Sequence, residues 1–238
     1  VTIAIEALLR HLLRTADPKV WVVTPNSDRI VEYAANRVNA HVSTGITSGP
    51  LQRFVPSMVY QERMPHLGYE GQVILLKVHG SLDWFMSPSG EIVALPFTPE
   101  VIKGFRPLVV TPGVSKYREV HKDPFRTIIA AADNVLRTAS SFCCVGYGFN
   151  DEHIQPILVR RVQKDRIPLV VITKALTEAA REAFIRQSCH EFLLIEEHPE
   201  GTRVYCPEAR SGIVFKGIGV WRVDDFMKMI TGKKVGKP

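Results

Sequence analysis

His79, Asn26 and Asp28 stand out because each lies where a short apolar run stops. His79 follows Val73–Val78 and precedes Gly80-Ser81, and imidazole is the usual general base near neutral pH. A histidine at a strand end more often simply bonds the backbone, so its place at a functional edge is what raises its standing. Asn26 and Asp28 flank the turn after Val20–Val23, where both residue types also serve as helix caps. Facing His79, they add an amide to position a water or hydroxyl and a carboxylate to face positive charge. That trio suits glycosidic C–N cleavage, in which an oxocarbenium-like centre develops. Spacing alone leaves the capping reading open.

Gly146-Tyr147-Gly148 leaves one strand and enters a helix, so its backbone N–H groups can face a phosphate or ribose. The G-x-G-x-x-G fingerprint is incomplete, because Asp151 stands where the third glycine belongs. The next strand ends in Thr173-Lys174 rather than in an acidic ribose ligand, so a plain tight turn explains the segment equally well. His153 reads as a structural partner of that turn. No G-x-x-x-x-G-K-[ST] occurs, which excludes a P-loop NTPase.

The elements that must position these residues alternate. An amphipathic helix is expected from Ile5, Leu8, Leu9, Leu12 and Leu13, then a strand over Val20–Val23 and a helix from Ile30. Thr44 to Gly71 is rich in Gly and Pro and reads as a long loop. Further strands are expected at Val73–Val78, Leu108–Val110, Phe142–Val145 and Pro168–Ile172, with helices over about Pro124–Thr138, through Val162, and over Ala175–Gln187. Short strands then follow at Phe192–Ile195, Arg203–Cys206 and Ile213–Ile218, before a helix over Asp224–Ile230. Continuous apolar strands joined by helices predict an α/β fold, a doubly wound and mainly parallel sheet. Such sheets bind ligands beyond the carboxyl ends of their strands. That rule selects Thr24–Asp28, His79–Asp83, Thr111–Gly113, Gly146–Asp151 and Thr173-Lys174.

Composition narrows the classes. With 238 residues, 45% of them hydrophobic, the chain can bury a sizeable core. No apolar stretch is long enough to span a bilayer, and the first residues carry charges instead of a signal-peptide pattern. Half of the net charge of +6 comes from Lys233, Lys234 and Lys237, so a nucleic-acid partner is not indicated. Cys143, Cys144, Cys189 and Cys206 form no C-x-x-C pair, which argues against a zinc ribbon and for buried, inert thiols. Adjacent Cys143 and Cys144 must point to opposite faces of their strand. A reducing, cytoplasmic setting without a membrane or a metal is the expectation.

Four blocks taken together resemble the bacterial sirtuin-like domains. They are Thr24-Pro25-Asn26-Ser27-Asp28, Lys77 to Trp84 (KVHGSLDW), Pro112 to Tyr117 (PGVSKY) and Gly146 to Ile154 (GYGFNDEHI). The resemblance spans about Val20 to Thr173 and implies a sirtuin-like variant of the Rossmann fold. It implies NAD as substrate, hydrolysed to nicotinamide and ADP-ribose in anti-phage defence, with no metal. In its terms Asn26 and His79 are the essential pair and Asp28 the acidic position of the same turn. Thr24, Gly146, Tyr147, Gly148 and Thr173 then contact NAD. A homo-oligomer is expected, with a hexameric ATPase as a partner for some members.

Two departures accompany the resemblance. Pro25 and Ser27 replace residues of the usual Thr-Thr-Asn-Tyr-Asp turn, and the family's N-terminal Gly-Ala-Gly-x-Ser loop has no counterpart here. The expected organisation is a sirtuin-like domain over 1–222, lacking that N-terminal segment, with a terminal helix and basic tail over 223–238. Upstream glycine-rich sequence is expected to strengthen NAD binding, with Lys174 or Lys116 the alternative phosphate ligands. Two other functions stay open: a non-catalytic NAD or ADP-ribose sensor or assembly scaffold, and an NAD-dependent protein deacylase. Sirtuin deacylases usually carry paired C-x-x-C motifs, which this chain lacks.

Overall fold

A computed structural model describes residues 3–60, 68–96, 102–110, 121–187 and 189–233. They divide into two compact units. The first covers Leu9–Ala132, and the second runs from Asp133 onward and takes in residues before Leu9. The segments Thr111–Gly113 and Pro112–Tyr117, and Lys116 with them, lie outside the described residues, as do Lys234 and Lys237.

The first unit is built on a parallel sheet of β1 (Lys19–Thr24), β2 (Ala40–Ser43) and β4 (Gly71–Lys77), in the order β1-β4-β2. Central β4 is buried at every residue, which is why Val73–Leu76 within it is a continuous apolar run instead of an alternating one. Helix α2 (Ile30–Arg37) follows β1 and buries Ala34 and Ala35. Helix α1 (Ile5–Leu12) has the expected apolar spacing, with Leu8 and Leu9 buried.

A second sheet in this unit is antiparallel. It consists of β3 (Gln52–Arg53), β5 (Gly80–Met86), β6 (Ile92–Ala94) and β7 (Arg106–Val109), in the order β3-β6-β5-β7. The run Leu108–Val110 is therefore not a member of the parallel sheet. It belongs to an antiparallel edge strand, where Pro107 is tolerated because an edge position can spare a ladder N–H. The expected long loop from Thr44 to Gly71 contains β3 and a 3₁₀ turn over Pro56–Tyr60, both too short to show a period.

The second unit holds a five-stranded sheet, in the order β12-β11-β10-β9-β8. Strands β8 (Phe142–Val145), β9 (Leu169–Ile172) and β10 (Phe192–His198) run parallel. Strands β11 (Gly201–Cys206) and β12 (Ala209–Lys216) extend them as an antiparallel meander. Helix α3 (Phe125–Thr138) precedes β8, and α4 (Gln155–Lys164) links β8 to β9. The helix expected over Ala175–Gln187 starts later. It is α5 (Glu178–Ala180), capped by Thr177, and it continues as a π-helical turn over Arg181–Arg186. Helix α6 (Val223–Ile230) buries Val223, Phe226 and Met227.

The expectation of four buried thiols needs correction. Cys144 and Cys189 are buried, but Cys206 is half-buried and Cys143 is exposed. The opposite-face argument holds for the adjacent pair: burial, with the neighbouring Cys143 thiol, pushes the Cys144 thiol up to about 12. Cys144 is therefore no nucleophile at neutral pH.

Gly80 opens β5 at φ +82°, and a Cβ built on it would lie 2.0 Å from the Leu108 carbonyl oxygen. Gly80→Ala thus combines left-handed strain with a clash against backbone that cannot swing away. It is expected to cost at least about 1–3 kcal/mol, read by urea unfolding. A variant as stable as the parent would mean that the corner after His79 is looser than described.

Candidate functional site

The edge of the first unit is set by strand register. Thr24 and Lys77 are paired at the carboxyl ends of β1 and β4, and the Val78 N–H extends the pairing by donating to the Thr24 carbonyl at 3.1 Å. Both strands release their chains at one level. After β1, the Thr24 hydroxyl oxygen accepts from the Asn26 N–H at 3.1 Å, which tightens the turn through Pro25. The Asp28 carboxylate accepts from the Ile30 N–H at 2.9 Å at the start of α2. The residue at the N-cap itself is Arg29, which makes no side-chain cap bond. Asp28 therefore does perform the capping chemistry, one position earlier than a regular N-cap.

Ser27 joins this turn to the corner that follows β4. Its hydroxyl donates to the His79 carbonyl at 3.4 Å, and its carbonyl accepts from the Leu82 N–H at 2.9 Å. The residue between Asn26 and Asp28 thus holds the histidine's own backbone. Asn26 is exposed, and its side-chain amide is not engaged by another described residue. Asp28 and His79 are half-buried, with the His79 Nε2 atom shielded from solvent. Of the residues read from the sequence, Thr24, Asn26, Asp28 and His79 share one edge of one unit.

Beneath that edge lies a polar network, to whose members Lys77, Ser81 and Asp83 the motif reading gave no role. The Lys77 side chain is fully buried and donates to the Asp28 carbonyl, to Glu32 at 2.9 Å and to the Ser81 hydroxyl at 2.7 Å. Ser81 in turn donates to one Asp83 oxygen at 2.5 Å, and the other pairs with Arg29 at 3.3 Å. The available signal was a lysine closing an apolar strand, with Ser81 and Asp83 alternating after it. It reads as snorkelling until the structure shows no solvent for the ammonium to reach.

In the second unit, Val145 and Ile172 are in register, and the Gly146 N–H donates to the Ile172 carbonyl at 2.9 Å. Gly146 adopts φ +61° with nothing near its Cβ position, so a ligand can approach its backbone. Tyr147 packs tilted against Phe149 at 4.7 Å between ring centroids, and Phe149 meets Phe184 edge-on at 5.1 Å. Burial, with the neighbouring Asp151 charge, pushes the Tyr147 phenol well above its ordinary value, so it stays neutral. The Gly148 carbonyl accepts from the Thr177 hydroxyl at 2.6 Å, which ties this turn to the loop after β9. Thr173 is half-buried, and its hydroxyl donates to the Ala175 carbonyl at 3.3 Å. Asp151 accepts from the His153 and Ile154 N–H groups at 2.9 and 3.0 Å, a helix-start role.

That loop is braced by a cluster around Glu196. Its carboxylate accepts from the Leu176 N–H at 2.9 Å, the Tyr205 hydroxyl at 2.7 Å and the Arg181 guanidinium at 2.7 Å. Burial alone would raise the Glu196 carboxyl, but the Arg181, Leu176 and Tyr205 donors outweigh it and hold the group below the usual carboxylate range. The stability this adds is fully present above the ordinary glutamate value and is lost as pH falls through the lowered one. Glu196→Gln should therefore melt below the parent at neutral pH, with the gap closing under acid. Melting curves across pH 3–7 check this (roughly the carboxylate range and above), and a gap constant with pH would be the contrary result.

Among the described residues no group of three or more His, Cys, Asp and Glu side chains is placed to hold a metal ion. No described helix is long and apolar enough to cross a membrane. The family model of the SIR2-like domain matches residues 20–193, most of the chain. No curated protein matches the sequence.

Proposed function

The chain belongs to the SIR2-like family, whose members work with NAD, and on that premise we propose that it is an NAD hydrolase releasing nicotinamide and ADP-ribose. The observation that carries this reading is the Ser27 tie. It sets an exposed asparagine amide and a half-buried imidazole on one strand-end edge. The bond from the nicotinamide nitrogen to the ribose C1′ breaks, and a water oxygen bonds to C1′. Asn26 orients that water or a ribose hydroxyl, and His79 takes up the proton released. One Asp28 oxygen is committed to the Ile30 N–H, and the carboxylate charge remains available to the cationic ribose. In the second unit, the open backbone of Gly146 and the Thr173 strand end suit contact with a ribose. NAD and ADP-ribose are the ligands, and no metal is required.

Incubating the protein with NAD and resolving the products by chromatography tests this directly. Nicotinamide and ADP-ribose in equal amounts are expected. Asn26→Ala is expected to lower turnover about 10²-fold, because a misplaced nucleophile costs that much. Asp28→Asn should lower it less, since an amide oxygen still accepts from Ile30. Calorimetric binding of NAD without nicotinamide release would make the protein a sensor or scaffold. Release only with an acyl-peptide would make it a deacylase. The anti-phage role, the homo-oligomer and the hexameric ATPase partner belong to the same proposal. Phage challenge of cells carrying the wild type or the His79→Ala variant, and light scattering of the purified protein, test the first two.

A further inference from the structure

A lysine with no exposed surface is costly, and the fold satisfies Lys77 completely. Its three N–H donors go to the Asp28 carbonyl, Glu32 and Ser81, which leaves none for a ligand and no lone pair for nucleophilic work. What it touches on the site side is backbone, namely the carbonyl at the end of the Asn26–Asp28 turn. Through Ser81 and Asp83 the same ammonium is linked to Arg29, the next residue along. The network leaves β4, passes β5 and returns to the turn, so two consecutive turn residues are held from below. Hydrophobic side chains could fill this space at no loss of stability, but they would not fix the direction of a carbonyl.

We infer that Lys77 is a positioning residue that sets the Asn26–Asp28 turn against His79, and so places the Asn26 amide for the reaction. The kinetic part rests on the hydrolase reading, and the structural part does not. The experiment uses Lys77→Met combined with Glu32→Gln, which removes both buried charges together and leaves neither stranded. Thermal unfolding, NAD kinetics and amide hydrogen exchange are read on the same samples. The expected result is a cooperatively folded protein with kcat lowered about 10²-fold and KM unchanged. Exchange should be faster at Ser27–Ile30 while β4 keeps its protection.

Unchanged kcat together with unchanged exchange at Ser27–Ile30 would overturn the inference. So would exchange raised evenly through the whole first unit, or failure of the double variant to fold, since either makes Lys77 a residue of general stability. A wild-type protein that leaves NAD intact would overturn the hydrolase reading alone. The exchange measurement would then decide the role of Lys77 by itself.

Discussion

His79→Ala is expected to lower NAD turnover by about 10²–10⁴-fold, the usual contribution of a general acid–base group. The fold should survive, because the side chain is only half-buried and stands at a corner instead of in the packed interior of β4. The Ser27 hydroxyl bonds the carbonyl of residue 79, which an alanine keeps, so the turn carrying Asn26 should stay attached. The loss should therefore fall on kcat with an unchanged melting temperature. Turnover equal to wild type in a well-folded variant would remove His79 from the reaction. A collapse of the melting temperature would instead assign it to the core.

The parallel strands were legible because burial on both faces leaves a plain mark. Val73–Leu76 and Leu169–Ile172 are uninterrupted apolar runs, and both are strands in the structure. The turn residues were legible too, since Asn26 and Asp28 follow a strand and precede a helix. The second sheet of the first unit was not. β3 has two residues and β6 three, below the length at which a two-residue alternation can be recognised. β5 starts immediately after His79, and a register shift against β7 between Gly80 and Phe85 blurs its alternation. Its Ser81 and Asp83 look like turn residues in sequence, but in the strand Ser81 accepts from the buried lysine and donates in turn to Asp83.

The cluster around Glu196 was hidden for another reason. Its members Arg181, Glu196 and Tyr205 come from α5's continuation, β10 and β11, and no local pattern joins them. The late start of α5 is local instead: Thr177 caps the helix, its hydroxyl oxygen accepting from the Ala180 N–H at 3.2 Å.

The second large effect concerns stability. Lys77→Met alone is expected to destabilise the protein by about 3–5 kcal/mol, the cost of breaking a buried ion pair by removing one partner. The Glu32 side chain is nearly as buried as its partner, and its second oxygen has no hydrogen-bond partner among the described residues. Lys77 is accordingly what compensates that carboxylate, and a methionine of similar length leaves it charged and largely shielded from water. Adding Glu32→Gln should return most of the lost stability, because a neutral amide is far cheaper to bury than a lone charge. Urea unfolding of the parent, the single variant and the pair measures both steps. A single variant no less stable than the pair would mean that Glu32 finds another cation or a proton. The ion pair would then not be what holds the edge of this unit together.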